Sequence, residues 1–159
     1  MIRLYFAYGS NMSVAQMKQR CPAARPLGTA SLEDWRFIIN QRGTASIVPH
    51  AGGRVHGVIW RCTRDCIATL DVYEGVAKRR YRKLHVTTDT LNGPIVALTY
   101  AGLYRGEGRP IRAYHEGTVI PAARDWVLDP DYLAELESWL GSGVFGPIRK
   151  KPRGRSWRP

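Results

Sequence analysis

The first hundred residues alternate short apolar runs with glycine-containing turns, a pattern typical of a small antiparallel sheet. The first run, residues 2–8, is short, apolar and aromatic-rich and therefore predicts a buried strand. Further runs, rich in apolar and β-branched residues, predict strands at 29–32, 35–40, 45–48, 55–60, 81–88 and 95–100. Gly52 and Gly53 predict a tight hairpin turn because glycine adopts positive φ angles readily. This succession of short strands favours an antiparallel sheet or barrel over a parallel sheet.

Two helices in the first half of the chain are predicted from their capping residues. Ser13 stands at the start of the first helix and Gln16 follows three residues later, which predicts a capping box. This helix is expected to end near Cys21 because a proline follows. Thr63 is the predicted N-cap of the second helix, and Gly75 is expected to end it in a left-handed conformation.

Two further helices are predicted in the last third of the chain. Residues 112–123 predict a helix that is interrupted by Gly117 and Pro121. Asp129, followed by a proline, begins the clearest helix, at 131–140. The predicted apolar face of that helix consists of Leu133, Leu136, Trp139 and Leu140.

The composition is that of one folded domain with a basic extension. A chain of 159 residues, of which 44% are hydrophobic and 23% charged, suits a single globular domain. We assign this domain to residues 1–141 and a basic tail to residues 142–159, where basic residues alternate with proline and glycine and no acidic residue occurs. The formal net charge of +11 would attract anionic partners of many kinds, from nucleic acid to acidic small molecules.

The sequence contains no signal for a membrane or for export. No apolar run approaches the roughly 20 residues that span a bilayer, and the first residues lack the basic start and cleavage site of a signal peptide. The 3 cysteines are an odd number without framework spacing, which fits a reducing compartment. We therefore expect a cytoplasmic location. Cys62, Cys66 and His56 match no common zinc pattern, so no metal site is expected.

The segment from Tyr5 to Met12 is the strongest candidate for a site. An apolar strand, the flexible Gly9 and a helix start at Ser13 follow one another. Such a sequence of elements directs several backbone N–H groups, with the positive end of the helix dipole behind them, at one spot that suits an anion. A strand-turn-helix connection without a function is the alternative that this pattern leaves open.

Two motifs resemble the gamma-glutamylcyclotransferase-like family, which includes the AIG2-like proteins. The tetrad Tyr8-Gly9-Ser10-Asn11, preceded by Phe6-Ala7, resembles the signature loop of the family. Glu74-Gly75-Val76, preceded by Leu70-Asp71, resembles the segment that carries the family's catalytic glutamate, at a comparable distance from the loop. The resemblance covers about residues 2–140 and excludes the basic tail. It continues through His56-Gly57-Val58-Ile59-Trp60, Tyr81, Tyr100 and Tyr114.

The resemblance implies an α+β fold in which a small, mostly antiparallel β-barrel carries flanking helices. It implies an enzyme that cyclises a gamma-glutamyl amino acid or amine to 5-oxoproline and releases the free amine, without a metal or organic cofactor. Glu74 would be the catalytic residue. The substrate-binding residues carried over from the family are Tyr8, Gly9, Ser10, Asn11, Tyr100 and Tyr114. Residues 102–110, predicted as a loop, and the helix after them are expected to shape the acceptor end of the pocket. Neither the acceptor nor the oligomeric state is predicted.

The position of Glu74 agrees with a role in proton transfer. A carboxylate in the last turn of a helix faces the negative end of the dipole, and burial near Val72, Val76 and tyrosines disfavours its ionised form further. The pKa of Glu74 should therefore rise towards neutrality, where a carboxyl group can both accept and donate a proton. A solvated glutamate at a helix end is the structural alternative.

Two other functional classes are the alternatives to this enzyme. A serine hydrolase would need Ser10 as nucleophile, but Tyr-Gly-Ser-Asn is not the Gly-x-Ser-x-Gly elbow and no histidine is placed by sequence to activate it. A non-catalytic binding protein on the same fold could take a small molecule, or nucleic acid through the basic tail and Trp157. The chain carries no recognised nucleic-acid fold signature.

Overall fold

The computed structural model describes residues 1–141, so the tail predicted at 142–159 lies outside the described residues. The strands are β1 (Ile2–Ala7), β2 (Arg25–Ile39), β3 (Ala45–Thr63), β4 (Tyr81–Thr90) and β5 (Gly93–Gly102). The helices are α1 (Val14–Arg20), α2 (Arg64–Tyr73), α3 (Arg112–Tyr114), α4 (Ile120–Asp125) and α5 (Pro130–Ser138). A 3₁₀ turn spans Ser10–Met12, and a π-helical turn, His115–Val119, joins α3 to α4. The predicted α+β class is confirmed.

The sheet closes into a small barrel in the strand order β1-β3-β2-β4-β5. The pairs are antiparallel except at the closure, where β1 and β5 run parallel and meet at Tyr5 and Leu98. The Thr99 hydroxyl donates a hydrogen bond of 2.8 Å to the carbonyl of Phe6 across this junction. The predicted barrel with mostly antiparallel pairing is therefore confirmed.

The hairpin of β2 and β3 contains fewer and longer strands than predicted. The predicted strands 29–32 and 35–40 are both parts of β2, and 45–48 and 55–60 are both parts of β3. Long strands of this kind can follow the curvature of a small barrel only if the pairing is locally irregular. The structure accordingly shows two register shifts between β2 and β3.

The predicted hairpin turn at Gly52 and Gly53 is wrong, because the chain continues through it as a bulge in β3. The bulge faces Asp34 on β2, between the pairs Glu33–Arg54 and Trp35–Pro49. Asp34 and Gly52 both have left-handed backbones, with φ of 64° and 79°. The carboxylate of Asp34 accepts a hydrogen bond of 2.9 Å from the N–H of Gly52. Turn-forming residues therefore make a bulge here instead of reversing the chain.

The predicted caps are present at the starts of α1, α2 and α5. Thr63 accepts a hydrogen bond of 3.1 Å from the N–H of Cys66, and Asp129 accepts two, each of 3.0 Å, in the first turn of α5. Ser13 accepts one of 3.2 Å from the N–H of Gln16. The second half of the predicted capping box is wrong, because the Gln16 side chain bonds to the preceding loop instead of the Ser13 backbone.

The helical region after β5 is interrupted at Gly117 as predicted, because a π-helical turn that contains Gly117 separates α3 from α4. Pro121, the second predicted interruption, does not break the helix, because it lies in the first turn of α4, where the missing N–H of proline costs least. The buried His115 packs against α5, with Nε2 2.6 Å from the carbonyl oxygen of Leu136. None of the helices within residues 1–141 is long and apolar enough to cross a bilayer.

The hydrophobic core fills the barrel and extends under the C-terminal helices. Its largest fully buried members include Phe6, Phe37, Ile39, Ile47, Trp60, Tyr100 and Leu136. Burial of each such side chain stabilises the fold by about 1.5 to 3 kcal/mol relative to exposure. The core therefore fixes the position of β1 and α2 relative to each other, and with it the two segments that carry the predicted site.

Candidate active site

The loop predicted as an anion site leaves the end of β1 and enters a 3₁₀ turn. The closing hydrogen bond of this turn runs from the N–H of Met12 to the carbonyl of Gly9 at 3.1 Å. The first N–H groups of a helical turn have no partner inside the turn, so they are the donors that the loop can offer. The sequence predicted that the start of the first helix would supply these donors. Instead, α1 begins only at Val14 with Ser13 as its cap, and the 3₁₀ turn before it supplies them.

Gly9 lies at a position where a larger residue would collide. A Cβ atom there would lie 3.0 Å from the Tyr114 hydroxyl and 3.2 Å from the Cβ of Ala45. Glycine thus allows the loop backbone to contact Tyr114, which arrives from α3 more than 100 residues later. The close contact forms one wall of a cavity.

Glu74 is the C-cap residue of α2 and points towards the same cavity. Its N–H donates to the carbonyl of Leu70 at 2.8 Å, and Gly75 follows with the predicted left-handed φ of 64°. Burial of the carboxyl group raises the pKa of Glu74 to about 7, against the opposing attraction of the Arg20 cation. The pKa is therefore shifted in the expected direction, to a value at which both protonation states are populated at neutral pH.

The carboxyl of Glu74 and the loop share one small cavity that is partly open to solvent. The residues that line it are Tyr5, Tyr8, Gly9, Ser10, Asn11, Ala45, Glu74, Tyr100 and Tyr114. The structure thus brings together every residue predicted for the site. The arrangement combines a carboxyl of raised pKa with backbone and phenol donors, which is a combination suited to acid–base chemistry on a small polar ligand.

Two of the lining tyrosines hold each other and α2 in place. The Tyr8 hydroxyl donates to the carbonyl of Tyr100, and the Tyr100 hydroxyl donates to a carboxylate oxygen of Asp71 at 2.7 Å. The other oxygen of Asp71 pairs with Lys83 at 2.8 Å. Burial raises the pKa of both phenols above the usual value, so both stay neutral. Their hydroxyl hydrogens are used within the protein, which leaves ring surface and acceptor oxygens for a ligand.

Tyr114 differs from these two tyrosines because its oxygen accepts hydrogen bonds from the protein. The N–H of Ala45 donates to it at 3.4 Å, and hydrogen bonds from Ser10 lower the pKa of the phenol, although burial raises that pKa overall. A hydroxyl whose oxygen already accepts hydrogen bonds can direct its own hydrogen at a ligand. Tyr114 is therefore a donor that faces the cavity.

Tyr5 is a lining residue that the sequence reasoning missed, since it was treated only as part of the apolar strand. The side-chain amide of Asn11 donates to its hydroxyl at 3.1 Å, so the phenol hydrogen can be directed at a ligand, as in Tyr114. A phenol in an otherwise apolar run, three residues before Tyr8, was the available signal. Ala45, the other missed residue, is a small apolar residue in a predicted strand and gave no signal in the sequence.

Tyr81, which shares in the resemblance to the family, and residues 102–110 both lie outside the cavity. The Tyr81 hydroxyl is buried against the backbone carbonyl of Ala45 at 2.6 Å, which is a structural role. The expectation that 102–110 and the helix after it shape the pocket holds only for the helix: Tyr114 of α3 lines the cavity, whereas no residue of 102–110 does. Instead, Gly108 donates to the carbonyl of Ile39 at 2.9 Å, so the segment packs on the end of the β2–β3 hairpin.

The geometry does not favour a serine hydrolase. No histidine lines the cavity, and the Ser10 hydroxyl accepts a hydrogen bond of 2.6 Å from the side chain of Gln16. A nucleophilic serine needs a base within hydrogen-bonding reach.

Among residues 1–141, no group of three or more His, Cys, Asp or Glu side chains is arranged to hold a metal ion.

Comparison with known protein families assigns most of the chain to one family description. A family model described as "Gamma-glutamyl cyclotransferase, AIG2-like" matches residues 5–127. A curated relative from Bos taurus named "Gamma-glutamylcyclotransferase" is 27% identical over 158 residues, covering 93% of this chain and 84% of the relative. A relative of the same name from Homo sapiens is 26% identical over 158 residues, with the same coverage of 93% and 84%.

Solved structures have the same fold over nearly the whole chain. One titled "Gamma-glutamyl cyclotransferase" superimposes with a TM-score of 0.81 at 24% identity, covering 96% of this chain and 93% of that structure. Another, of a human protein described as uncharacterized, superimposes with a TM-score of 0.79 at 25% identity, covering 96% and 92%. The barrel with flanking helices is therefore a fold that this chain shares with these proteins.

Proposed function

The chain belongs to the gamma-glutamyl cyclotransferase, AIG2-like family, and we propose that it cyclises gamma-glutamyl compounds to 5-oxoproline with release of the free amine. The observation that carries the proposal is the shared cavity of Glu74 and the Tyr8–Asn11 loop. The curated relatives carry the name of this activity. The substrate is then a small gamma-glutamyl molecule, and either an amino acid or an amine fits as the group released.

In the proposed reaction, the nucleophile belongs to the substrate. The α-amino nitrogen forms a bond to the γ-carbonyl carbon, and the bond from that carbon to the leaving nitrogen then breaks. Because the new ring has five members and closes within one molecule, the protein mainly has to hold the bent conformer and transfer the proton. Glu74, with a pKa of about 7, accepts a proton from the α-ammonium group, which frees the amine to attack, and delivers that proton to the leaving nitrogen. The attacking nitrogen then loses its second proton through the same carboxylate to the released amine, which leaves as an ammonium ion.

The remaining lining groups suit the negative charges of the substrate and of the tetrahedral intermediate. The backbone N–H groups of Gly9 and Asn11, together with the phenol hydrogens of Tyr5 and Tyr114, are donors that can stabilise the oxyanion or bind the α-carboxylate. The N–H of Ser10 instead donates to the Tyr114 oxygen and holds that phenol in place. The loss of one donor of this kind typically lowers kcat by about 10² to 10³-fold. No step requires a metal ion or an organic cofactor.

The test is direct measurement of the product. The protein is incubated with a panel of gamma-glutamyl amino acids and gamma-glutamyl amines, and 5-oxoproline is measured by mass spectrometry. We expect product from at least one panel member with wild type and Glu137→Gln, and a loss of at least about a hundredfold with Glu74→Gln. Glu137 is a matched control because it lies on α5, pairs with Arg124 and has a side chain that is 42% exposed. Absence of product across the panel would contradict the proposal.

The basic tail supports a second, separate proposal about partners. Residues 142–159 contribute to the net charge of +11, and such a segment can bind nucleic acid electrostatically. Deletion of 142–159 separates the two activities: cyclotransferase activity should survive, whereas salt-sensitive nucleic-acid binding should disappear.

The cytoplasmic location expected from the sequence stays a prediction, and no oligomeric state is proposed.

A further inference from the structure

The hydrogen bonds of the Asn11 amide fix its orientation. Its oxygen accepts hydrogen bonds from the side chains of Gln16 and Arg20, each at 3.0 Å. Its nitrogen donates to the Tyr5 hydroxyl at 3.1 Å and lies 3.5 Å from a carboxylate oxygen of Glu74. A guanidinium group can only donate hydrogen bonds, so the end of the amide that faces Arg20 must be the oxygen. The nitrogen must then face the cavity.

We propose that Arg20 is a positioning residue, which acts with Gln16 to direct the Asn11 amide nitrogen at Tyr5 and Glu74. The proposal rests on the proposed function for its catalytic consequence, because the aligned groups are those that would bind and protonate the substrate. Gln16 reinforces the arrangement, since its nitrogen also donates to the Ser10 hydroxyl at 2.6 Å. This explains why Gln16 turns away from the capping box that its position predicts.

Arg20 is itself held in place by α2. Its guanidinium carbon lies 4.2 Å from the centre of the Tyr73 ring, and Tyr73 immediately precedes Glu74. A planar guanidinium stacked on an aromatic ring can still donate hydrogen bonds from its edge. Arg20 thus joins the last turn of α1, the signature loop and the end of α2 at one point.

Arg20 also brings a positive charge to the edge of the site. The titratable groups that interact electrostatically with Glu74 from the surrounding elements are Arg20, Tyr5, Tyr8, Tyr81, Tyr100 and Tyr114. Burial raises the pKa of each of these phenols, so Arg20 is the member of this set that carries a charge at neutral pH. Its attraction lowers the pKa of Glu74 against the effect of burial. Removal of the cation should therefore reduce the ionised fraction of Glu74 at pH 7.

The test combines a titration that needs no activity with kinetics. The pKa of Glu74 is measured by NMR of protein labelled with carboxyl-¹³C glutamate, in wild type, Arg20→Gln, Arg20→Lys and Lys18→Gln. Lys18 is a matched control because it lies exposed on the same helix and its substitution removes the same charge. We expect Arg20→Gln to raise the pKa of Glu74 by about one unit, and Arg20→Lys and Lys18→Gln to leave it near the wild-type value.

Kinetics then test the orientation of the amide. Gln16→Leu removes the hydrogen bonds to Asn11 and Ser10 and leaves every charge in place, so we expect kcat for 5-oxoproline formation to fall about tenfold without a shift of the pH profile. The proposal is overturned if Arg20→Gln and Lys18→Gln have the same effect on the pKa of Glu74, or if folded Gln16→Leu turns over at the wild-type rate. If Arg20→Gln does not fold, Gln16→Leu decides the matter. If no substrate is turned over at all, the NMR titration still tests Arg20 separately from the proposed function.

Discussion

Replacement of Glu74 by glutamine should stabilise the folded protein at alkaline pH while it removes activity. The pKa of Glu74 rises from an ordinary 4.5 to about 7 in the folded state, mainly because the carboxyl group is buried. A shift of this size corresponds to about 3 kcal/mol, at about 1.4 kcal/mol per pKa unit. The partial solvent contact of the side chain reduces the expected effect to about 2 kcal/mol.

The direction of the effect follows from proton linkage. The folded state binds the Glu74 proton more tightly than the unfolded state, so this group favours folding while it is protonated, and that contribution is lost as pH rises from 4.5 through 7. Glutamine is neutral at every pH and is free of this loss. The stability difference is the free energy of unfolding of Glu74→Gln minus that of wild type. This difference should therefore increase by about 2 kcal/mol between pH 4.5 and pH 8.

Urea denaturation at the two pH values measures this difference. All other carboxyl groups are common to both proteins, so their titration cancels in the comparison, and Glu137→Gln serves as the exposed control. An equal stability difference at pH 4.5 and pH 8 would refute the reasoning, because it would mean that Glu74 titrates alike in the folded and unfolded states. Such a result would also remove the physical basis for its role as a proton carrier near pH 7.

Two further substitutions test the donors around the cavity. Tyr5→Phe removes the hydroxyl that accepts from Asn11 and faces the ligand, so kcat should fall about a hundredfold in the 5-oxoproline assay; an unchanged kcat would exclude Tyr5 from the site. Gly9→Ala would place a Cβ 3.0 Å from the Tyr114 hydroxyl, so activity should fall at least about tenfold and stability by about 1 to 3 kcal/mol in urea denaturation. Gly117→Ala is its control, since a Cβ there would meet open space; equal losses in both would contradict the steric argument.

The location of the site could be predicted from sequence because its two main parts are short contiguous motifs that resemble those of a known family; the local pattern alone left a functionless connection and a solvated glutamate open. The Tyr8–Asn11 loop follows a recognisable strand, and Glu74 stands between a predicted helix and the left-handed Gly75. Tertiary structure was needed only to bring them together. Tyr5 was missed because an apolar run predicts a strand without saying which of its side chains face a cavity. Gln16 was assigned to a cap because its alternative partners, Ser10 and Asn11, become neighbours only through the 3₁₀ turn.

The errors in the fold have a similar cause. Asp34 and Gly52 are residues typical of turns, and both adopt the left-handed backbone conformation that such residues tolerate. The strands nevertheless continue through them as a bulge. Local sequence predicts the backbone conformation of a residue better than it predicts whether the chain reverses there. Pro121 likewise fits a helix because the preceding π-helical turn places it at the start of α4.

The central claim is that the Glu74 carboxyl moves the proton of the cyclisation within the cavity it shares with the loop. The most direct measurement is kcat/KM for 5-oxoproline formation between pH 5.5 and 8, for wild type and Glu74→Gln. The account predicts that the wild-type value rises with pH and levels off above a pKa of about 7, and that the glutamine variant loses at least about a hundredfold across the range. A wild-type profile that is flat over this range, or a folded Glu74→Gln that forms product at the wild-type rate, would contradict it.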